Sequence, residues 1–262
     1  MNAVQRRMEI YRILQEQTTA EVNDLAALFS VSKMTIRRDF ALFEKQGLVK
    51  TNYGGAHLNS GTAVEPSFSL KQGQLLDIKQ AIAEEAAELI RDGDTIGIDC
   101  GTTTLQLLKY IQNKKITIVS NSWHIISHLQ GNQRIKIILA PGEYSEVSAG
   151  VISSVTADFF HSFSLDWAFI STQGYSIGFG ASVPGMDEAH VKRALMRSAR
   201  QSVLMLDHSK FEQRLLFRHA KPEQFDIIVT NDETPEDYQR QLKKECKLLL
   251  VANASLSHSS HH

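Results

Sequence analysis

The stretch Val31-Ser32-Lys33-Met34-Thr35-Ile36-Arg37-Arg38-Asp39-Phe40-Ala41-Leu42-Phe43-Glu44-Lys45-Gln46-Gly47 predicts a helix with two unlike faces. Ser32 is a good N-cap, because its hydroxyl can accept a hydrogen bond from an otherwise unpaired amide of the first turn. Gly47 is a good stop, because glycine readily takes the left-handed conformation that closes a helix. Ile36, Phe40 and Phe43 recur at i, i+4, i+7 and form one buried stripe. At about 100° per residue, Met34, Arg38, Ala41 and Lys45 fall opposite that stripe, with Thr35 and Arg37 on the flanks. Adjacent arginines near a helix start suit a base edge and a phosphate, two jobs the guanidinium fork does well. Taken alone, a solvated amphipathic helix with a charged face has the same pattern.

The flanking residues separate the two readings. Upstream, Met8, Ile10, Ile13 and Leu14 suit a first helix over Arg6–Leu14, and Val22, Leu25, Ala26, Leu28 and Phe29 suit a second. Ser30-Val31-Ser32 is then a short turn into the third, which describes a helix-turn-helix. Downstream, Leu48-Val49-Lys50-Thr51 reads as a strand and Asn52-Tyr53-Gly54-Gly55 as a turn before Ala56-His57-Leu58. That hairpin is the wing of a winged helix. Ser32, Lys33, Met34, Thr35, Arg37, Arg38 and Lys45 on the third helix, with Lys50 and Tyr53 on the wing, are the candidate contacts to double-stranded DNA.

The 262 residues are enough for one or two domains with a sizeable core, and 42% hydrophobic with 22% charged is ordinary for a globular chain. No apolar run approaches the roughly 20 residues that span a bilayer, and no hydrophobic segment follows Arg6-Arg7, so neither a membrane role nor a secretory signal is expected. Two cysteines, Cys100 and Cys246, make neither a disulfide framework nor a metal site by spacing, which fits a reducing cytoplasm. Residues 1–57 hold 8 Lys+Arg against 6 Asp+Glu, whereas the remainder holds 20 against 23. The footprint for DNA must therefore be local to the third helix and wing, and joining two such heads in a homo-oligomer would raise affinity. The organisation expected is a DNA-binding domain over 1–58, a linker over 59–76, a sensor domain over 77–252 and a Ser/His-rich tail over 253–262 without a functional role.

From Asp77 onward the pattern changes. An amphipathic helix over Ile78–Ile90 leads to short apolar runs at Thr95–Ile98, Ile116–Val119, Ile135–Leu139, Ala168–Ile170, Val203–Leu206, Ile227–Val229 and Leu248–Val251. Helical segments such as Thr104–Ile111, Trp123–Leu129 and Glu188–Ser198 lie between several of them. Strands alternating with helices argue for an α/β fold with a doubly wound, mainly parallel sheet. Ligands in such sheets sit beyond the carboxyl ends of the strands, so the informative residues follow each run. After the first comes Asp99-Cys100-Gly101-Thr102-Thr103-Thr104, where Gly101 would admit a ligand close to the backbone and the threonines would offer hydroxyls and first-turn amides to an anion. The alternative is a helix start with threonine caps. Asn121 follows the second run, and Gly174 closes Ser171-Thr172-Gln173-Gly174. Asp207 and Lys210 follow Val203–Leu206 as a countercharge for phosphate or as a surface salt bridge. Glu188 and Lys192, i and i+4 on one helix, are either site residues or an ordinary helix pair.

These motifs resemble the DeoR family of bacterial sugar-metabolism transcriptional repressors. In the head the resemblance is carried by Leu25-Ala26, Val31-Ser32, Thr35-Ile36-Arg37-Arg38-Asp39, Glu44, Gly47-Leu48 and Gly54-Gly55-Ala56. Beyond it, Lys79-Gln80-Ala81-Ile82-Ala83, Asp99-Cys100-Gly101-Thr102-Thr103-Thr104, Ser120-Asn121-Ser122, Glu188 to Ala194, Asp207-His208-Ser209-Lys210-Phe211 and Asp226 to Asp232 continue it in order. Phe40 and Phe43 stand where leucines are usual, Tyr53 where histidine is frequent, and Pro141-Gly142 and Thr172-Gln173-Gly174 depart from the family pattern. The resemblance implies a sensor domain with the fold of ribose-5-phosphate isomerase and CoA transferases, binding a phosphorylated sugar. Its closest forms suggest deoxyribose-5-phosphate first.

The expectation is a cytoplasmic regulator, a repressor of a sugar-utilisation operon, with no cofactor, no metal and no catalytic residues. A sugar-phosphate isomerase with an accessory DNA-binding head is the alternative, since Asp99, Glu188, Lys192, Asp207 and Lys210 could supply acid-base groups.

Overall fold

The computed structural model describes residues 1–59 and 66–253. Residues 60–65 of the expected linker and 254–262 of the expected tail lie outside the described residues. The chain divides into two compact units, one spanning Met1–Gln74 and the other beginning at Leu75.

The first unit runs α1 (Ala3–Gln17), β1 (Thr19–Glu21), α2 (Val22–Leu28), α3 (Lys33–Lys45), β2 (Val49–Thr51), β3 (Gly55–Leu58) and α4 (Phe68–Gln72). Its three strands pair antiparallel in the order β1-β3-β2, and β2–β3 is the wing. The quoted stretch forms α3, started by Ser32, whose hydroxyl accepts from the Thr35 amide at 3.2 Å, and closed at Gly47 with φ +73°. Ile36, Phe40 and Phe43 are buried with Ile10, Tyr11 and Leu14 of α1 and Leu25 of α2. Burying each such side chain contributes about 1.5–3 kcal/mol. Asp39 is also on the buried side of α3, where Arg6 Nε meets its Oδ2 at 2.7 Å and Arg7 Nε its Oδ1 at 3.5 Å. Part of the stretch expected as linker is structured: α4 lies within it, and its Leu70 joins the core of the head.

The second unit runs α5 (Leu76–Ala87), β4 (Thr95–Ile98), α6 (Leu107–Tyr110), β5 (Ile116–Ser120), α7 (His124–Leu129), β6 (Ile135–Leu139), β7 (Tyr144–Ser145), β8 (Gly150–Val151) and α8 (Ser154–Phe160). It continues with β9 (Leu165–Ser171), β10 (Gly174–Ser176), β11 (Gly180–Val183), α9 (Met186–Arg197), β12 (Ala199–Met205), β13 (Phe217–Ala220), β14 (Ile227–Asn231), α10 (Glu236–Glu245) and β15 (Leu248–Ala252). A seven-stranded sheet has the order β15-β14-β12-β9-β4-β5-β6, parallel throughout. Its strands are the apolar runs read in the sequence, since a strand buried on both faces needs no polar alternation. A small antiparallel sheet, β10-β11-β13, stands apart from it. The chain leaves β4 toward β5 and β6 and returns to β9 on the other side of β4, so strand order reverses between β4 and β9. Such a reversal opens a crevice at the carboxyl ends of the strands. No helix among the described residues is long and apolar enough to cross a membrane.

Candidate DNA interface and strand-end site

The outer face of α3 carries what the periodicity predicts. Ser32, Lys33, Met34, Arg37, Arg38 and Lys45 are exposed, and Thr35 is half-buried. Neither Arg37 nor Arg38 forms an ion pair or side-chain hydrogen bond among the described residues, so both guanidinium forks are free for a ligand. Thr35 is engaged locally, its hydroxyl 2.9 Å from that of Ser32. On the wing Lys50 is exposed, and Tyr53 at the tip is 99% exposed. The tip is shaped by Asn52, whose Oδ1 accepts from the amides of Gly54 at 3.0 Å and Gly55 at 2.7 Å. Gly55 admits no side chain, because a Cβ there would lie 2.2 Å from the Ala20 carbonyl oxygen of β1. Glu44 is an exposed acid near the end of the same helix. Its Oε1 accepts from the Thr51 amide at 2.8 Å and the Thr51 hydroxyl at 2.7 Å, which ties the wing to α3.

In the second unit, Asp99 at the end of β4 is the centre of a buried cluster. Its Oδ2 accepts from Lys192 Nζ at 2.5 Å and from the Ser171 amide and hydroxyl at 2.8 and 2.9 Å. Its Oδ1 accepts from the Thr104 hydroxyl at 2.5 Å and the Gly101 amide at 3.0 Å. Burial alone would raise the Asp99 carboxyl, but the Lys192 ammonium and the Thr104 and Ser171 hydrogen bonds outweigh it and hold it below the usual range. Burial likewise opposes the Lys192 charge, and the carboxylates of Asp99 and Glu188 more than restore it, so the ammonium is held above its ordinary pKa. Lys192 and Glu188 do form the i, i+4 pair at 3.5 Å, yet the stronger partner of Lys192 is Asp99. Gln173 Nε2 also reaches Glu188 Oε2 at 3.3 Å.

This bonding changes the reading of the loop Gly101 to Thr104. A Cβ at Gly101 would lie 1.9 Å from Ser171 Oγ, so the glycine is required by the packing of β4 against β9. The Gly101 amide and the Thr104 hydroxyl are already spent on Asp99, which leaves Thr102 and Thr103 as the donors of the loop. The helix expected over Thr104–Ile111 is a 3-10 turn at Thr104–Gln106 followed by the single α turn α6. A helix that short aligns few peptide dipoles, so its pull on an anion is smaller than a long helix would exert.

The neighbouring strand ends complete the row. Asn121, just past β5, is buried, with Nδ2 donating to the Val151 carbonyl at 3.0 Å, while neither its Oδ1 nor the buried Ser122 hydroxyl makes a hydrogen bond among the described residues. Asp207, just past β12, is fully buried and caps a 3-10 turn through the amide and hydroxyl of Ser209, with Lys210 Nζ 4.0 Å away. Burial would raise its carboxyl, and Lys210, Ser209 and Lys79 instead keep it low. Asp207 Oδ2 accepts no hydrogen bond among the described residues. Gly174 belongs to the small sheet, where its carbonyl accepts from the Thr172 hydroxyl at 3.0 Å, and a Cβ would lie 2.7 Å from the Gln213 carbonyl. Its glycine is thus explained by packing. Sequence reasoning named Ser171 and Lys79 only within their motifs, without a place in the site, and passed over His219. Lys79 is buried on the inner side of α5. A lysine one position from Ile78 on a helix face bound for the core was the available signal, since a buried ammonium needs a counter-ion. His219 is buried with Nε2 3.1 Å from the Thr172 hydroxyl.

The comparisons with known proteins cover both units. A model of the DeoR-like helix-turn-helix domain matches residues 6–62, and one of the DeoR C terminal sensor domain matches residues 75–232. Over 96% of its length and 99% of the relative's, the chain is 34% identical to an Escherichia coli (strain K12) protein named as the uncharacterized HTH-type transcriptional regulator YgbI. It is 30% identical to the glycerol-3-phosphate regulon repressor of the same organism, over 90% of this chain and 93% of that one. Among solved structures, ribose 5-phosphate isomerase A from Methanocaldococcus jannaschii aligns with 53% of this chain and 56% of its own, at 17% identity and TM-score 0.39. The curated relatives are named as regulators and not as enzymes. With a winged helix-turn-helix head and a parallel α/β sensor, the chain belongs to the DeoR family of transcriptional regulators.

Proposed function

We propose that the chain represses a sugar-utilisation operon by binding operator DNA through α3 and the wing, and that a phosphorylated sugar bound at the strand ends controls it. The observation that carries the sensor half is the row of buried polar atoms that make no hydrogen bond among the described residues, Asn121 Oδ1, Ser122 Oγ and Asp207 Oδ2, the last met by Lys210 Nζ at 4.0 Å, on either side of the Asp99–Lys192 cluster. A buried acceptor without a donor is costly, and a polyhydroxylated ligand brings donors to it. Thr102, Thr103 and Lys210 are the groups left to meet a phosphate. The site we assign is Asp99, Gly101, Thr102, Thr103, Thr104, Asn121, Glu188, Lys192, Asp207 and Lys210, with Gly174 shaping its wall. The relative named for the glycerol-3-phosphate regulon supports a phosphorylated ligand class. Deoxyribose-5-phosphate is the first compound to test.

The regulator acts in the cytoplasm as a homo-oligomer. Its switch is linkage: a ligand that prefers the weak-DNA form lowers operator affinity by the same coupling factor. The experiment is thermal unfolding of the full chain against a panel of sugar phosphates, since a ligand that binds only the folded state raises the melting temperature. Operator affinity is then measured with and without each hit. A panel without a single stabilising sugar phosphate would sink the reading.

A further inference from the structure

The parallel sheet ends in two edges that are not alike. β6 carries the exposed Lys136 inside an otherwise apolar run, a charge of the kind that keeps an edge strand from pairing. β15 reads Leu248-Leu249-Leu250-Val251-Ala252, with no charge, proline or register shift, and Leu248 and Val251 are 45% and 36% exposed. The Leu248 amide donates to the Asp226 carbonyl, and the Ala252 carbonyl accepts from the Asp232 amide. In a parallel ladder, alternate residues face one neighbour, so Leu248, Leu250 and Ala252 are spent on β14. The backbone groups of Leu249 and Val251 therefore face the open edge. We propose that this edge is closed by β15 of a second copy, the two strands running antiparallel about a two-fold axis at Leu250, so that one sheet continues through both protomers.

The register and the charges both fit that occupant. A two-fold at Leu250 sets Leu249 opposite Val251 of the second copy, and Val251 opposite its Leu249. Both pairs have outward amides and carbonyls, so each exchanges hydrogen bonds in both directions. An edge strand is self-complementary in this way, as a two-fold interface must be. α10 touches β15 and, joining two parallel strands, runs antiparallel to them. Glu236 lies at its start, Asp232 in the loop that leads into it from β14, and Lys243 and Lys244 in its last turn, all exposed and without an ion pair among the described residues. An axis normal to the sheet keeps both copies of α10 on one face with opposite directions. The acidic start of one then adjoins the basic end of the other, a complementarity that also selects the orientation.

This interface deepens the oligomer reading above and rests on it, but not on the identity of the effector. The test is sedimentation of the full chain at micromolar concentration, with circular dichroism to follow folding. Leu248→Lys and Val251→Lys each place an ammonium where the side chain is now solvent-accessible, so the protomer should fold. Each should loosen self-association about tenfold or more, because the second copy would bury an unpaired charge. Lys243→Glu with Lys244→Glu should also weaken association, and adding Asp232→Lys with Glu236→Lys should restore it, a rescue that a misfolded variant would not give. Folded lysine variants that keep the wild-type assembly mass overturn the edge interface alone. A monomeric wild type overturns both the interface and the oligomer reading.

Discussion

Lys192 Nζ lies 2.5 Å from Asp99 Oδ2, joining the middle of α9 to the carboxyl end of β4 across the reversal in strand order. Both side chains are buried, and each is the other's opposite charge in place of lost water, helped by Glu188 beside Lys192 and by the Gly101, Thr104 and Ser171 donors to Asp99. Removing one partner strands a buried charge, whereas removing both need not destabilise. Lys192→Met should therefore cost about 3–5 kcal/mol of folding stability, and the double variant with Asp99→Asn should recover most of it. Urea denaturation of the single and double variants measures both, and a single variant within about 1 kcal/mol of wild type would remove the pair from the stability account.

His219 gives the sensor unit a pH dependence near neutrality. Burial and the Lys192 charge push its imidazole well below the ordinary 6.5, so it stays neutral in the fold. An imidazole whose folded pKa is depressed contributes stability that is complete above the unfolded value and is lost as pH falls below it. Stability should thus decline by up to about 1.4 kcal/mol per pH unit on going from pH 6.5 downward. The Asp99 carboxyl, also held low, adds a loss only near and below its ordinary 3.8, well separated from the first. His219→Gln should flatten melting temperature between pH 7 and pH 5. An equally steep decline in that variant would assign the effect to other groups.

Arg38 is the free guanidinium that faces away from the core of α3. Arg38→Ala should cost about 1–3 kcal/mol of operator binding and relax sequence preference, as loss of a bidentate guanine contact does. Lys50→Ala on the wing should weaken operator and scrambled DNA alike, since phosphate contacts carry no sequence information. Gel shifts with both DNAs separate the two roles. Unchanged specificity in the Arg38 variant would take it out of the readout.

Glu44 makes a prediction of opposite sign to simple charge counting. As an acid near phosphates it should repel DNA, and its removal should tighten binding. As the acceptor for the Thr51 amide and hydroxyl it holds the wing at a fixed angle to α3, and its removal should weaken binding. Operator affinity of Glu44→Ala is expected to fall. A rise would show that electrostatic repulsion outweighs the tie.

What could be read from the residues depended on how local the cause was. Helix α3 was legible because Ile36, Phe40 and Phe43 sit on one helical stripe within a few turns. The strands of the large sheet were legible because burial on both faces makes each a continuous apolar run. The small sheet was not, because β10, β11 and β13 are only three or four residues each, β10 and β11 made largely of small residues and β13 broken by Arg218 and His219, with no apolar run to mark them. α10 buries only Tyr238 and Leu242, too few to show a period. At the site, Lys192 was read with Glu188 because that pair lies within one helix. Its stronger partner Asp99 is 93 residues away, and nothing in the spacing reports a contact made by folding. Gly101 was read as room for a ligand, and the room is taken by Ser171, which β9 brings alongside β4.

The two halves of the proposed function meet in the variants Thr102→Asp and Lys210→Ala. Of the loop after β4, the hydroxyls of the buried Thr102 and Thr103 make no hydrogen bond among the described residues, so a carboxylate at Thr102 would oppose a phosphate by like charge and desolvation. Lys210 lies 4.0 Å from Asp207 and is the half-buried member of that pair, beside a fully buried carboxylate, so its loss removes a countercharge from the site. Asp207 would keep its bonds to Ser209 and the nearby Lys79 charge, so the fold should survive. Neither residue belongs to the unit that carries α3 and the wing. Both variants should therefore bind operator as wild type does without ligand and should fail to respond when the sugar phosphate is added. Operator affinity is measured with and without the ligand found by thermal shift, for wild type and each variant. A full ligand response in both would place the phosphate away from Thr102 and Lys210. Loss of operator binding in the absence of ligand would make the two residues structural instead. The expected product is a repressor that stays on its operator.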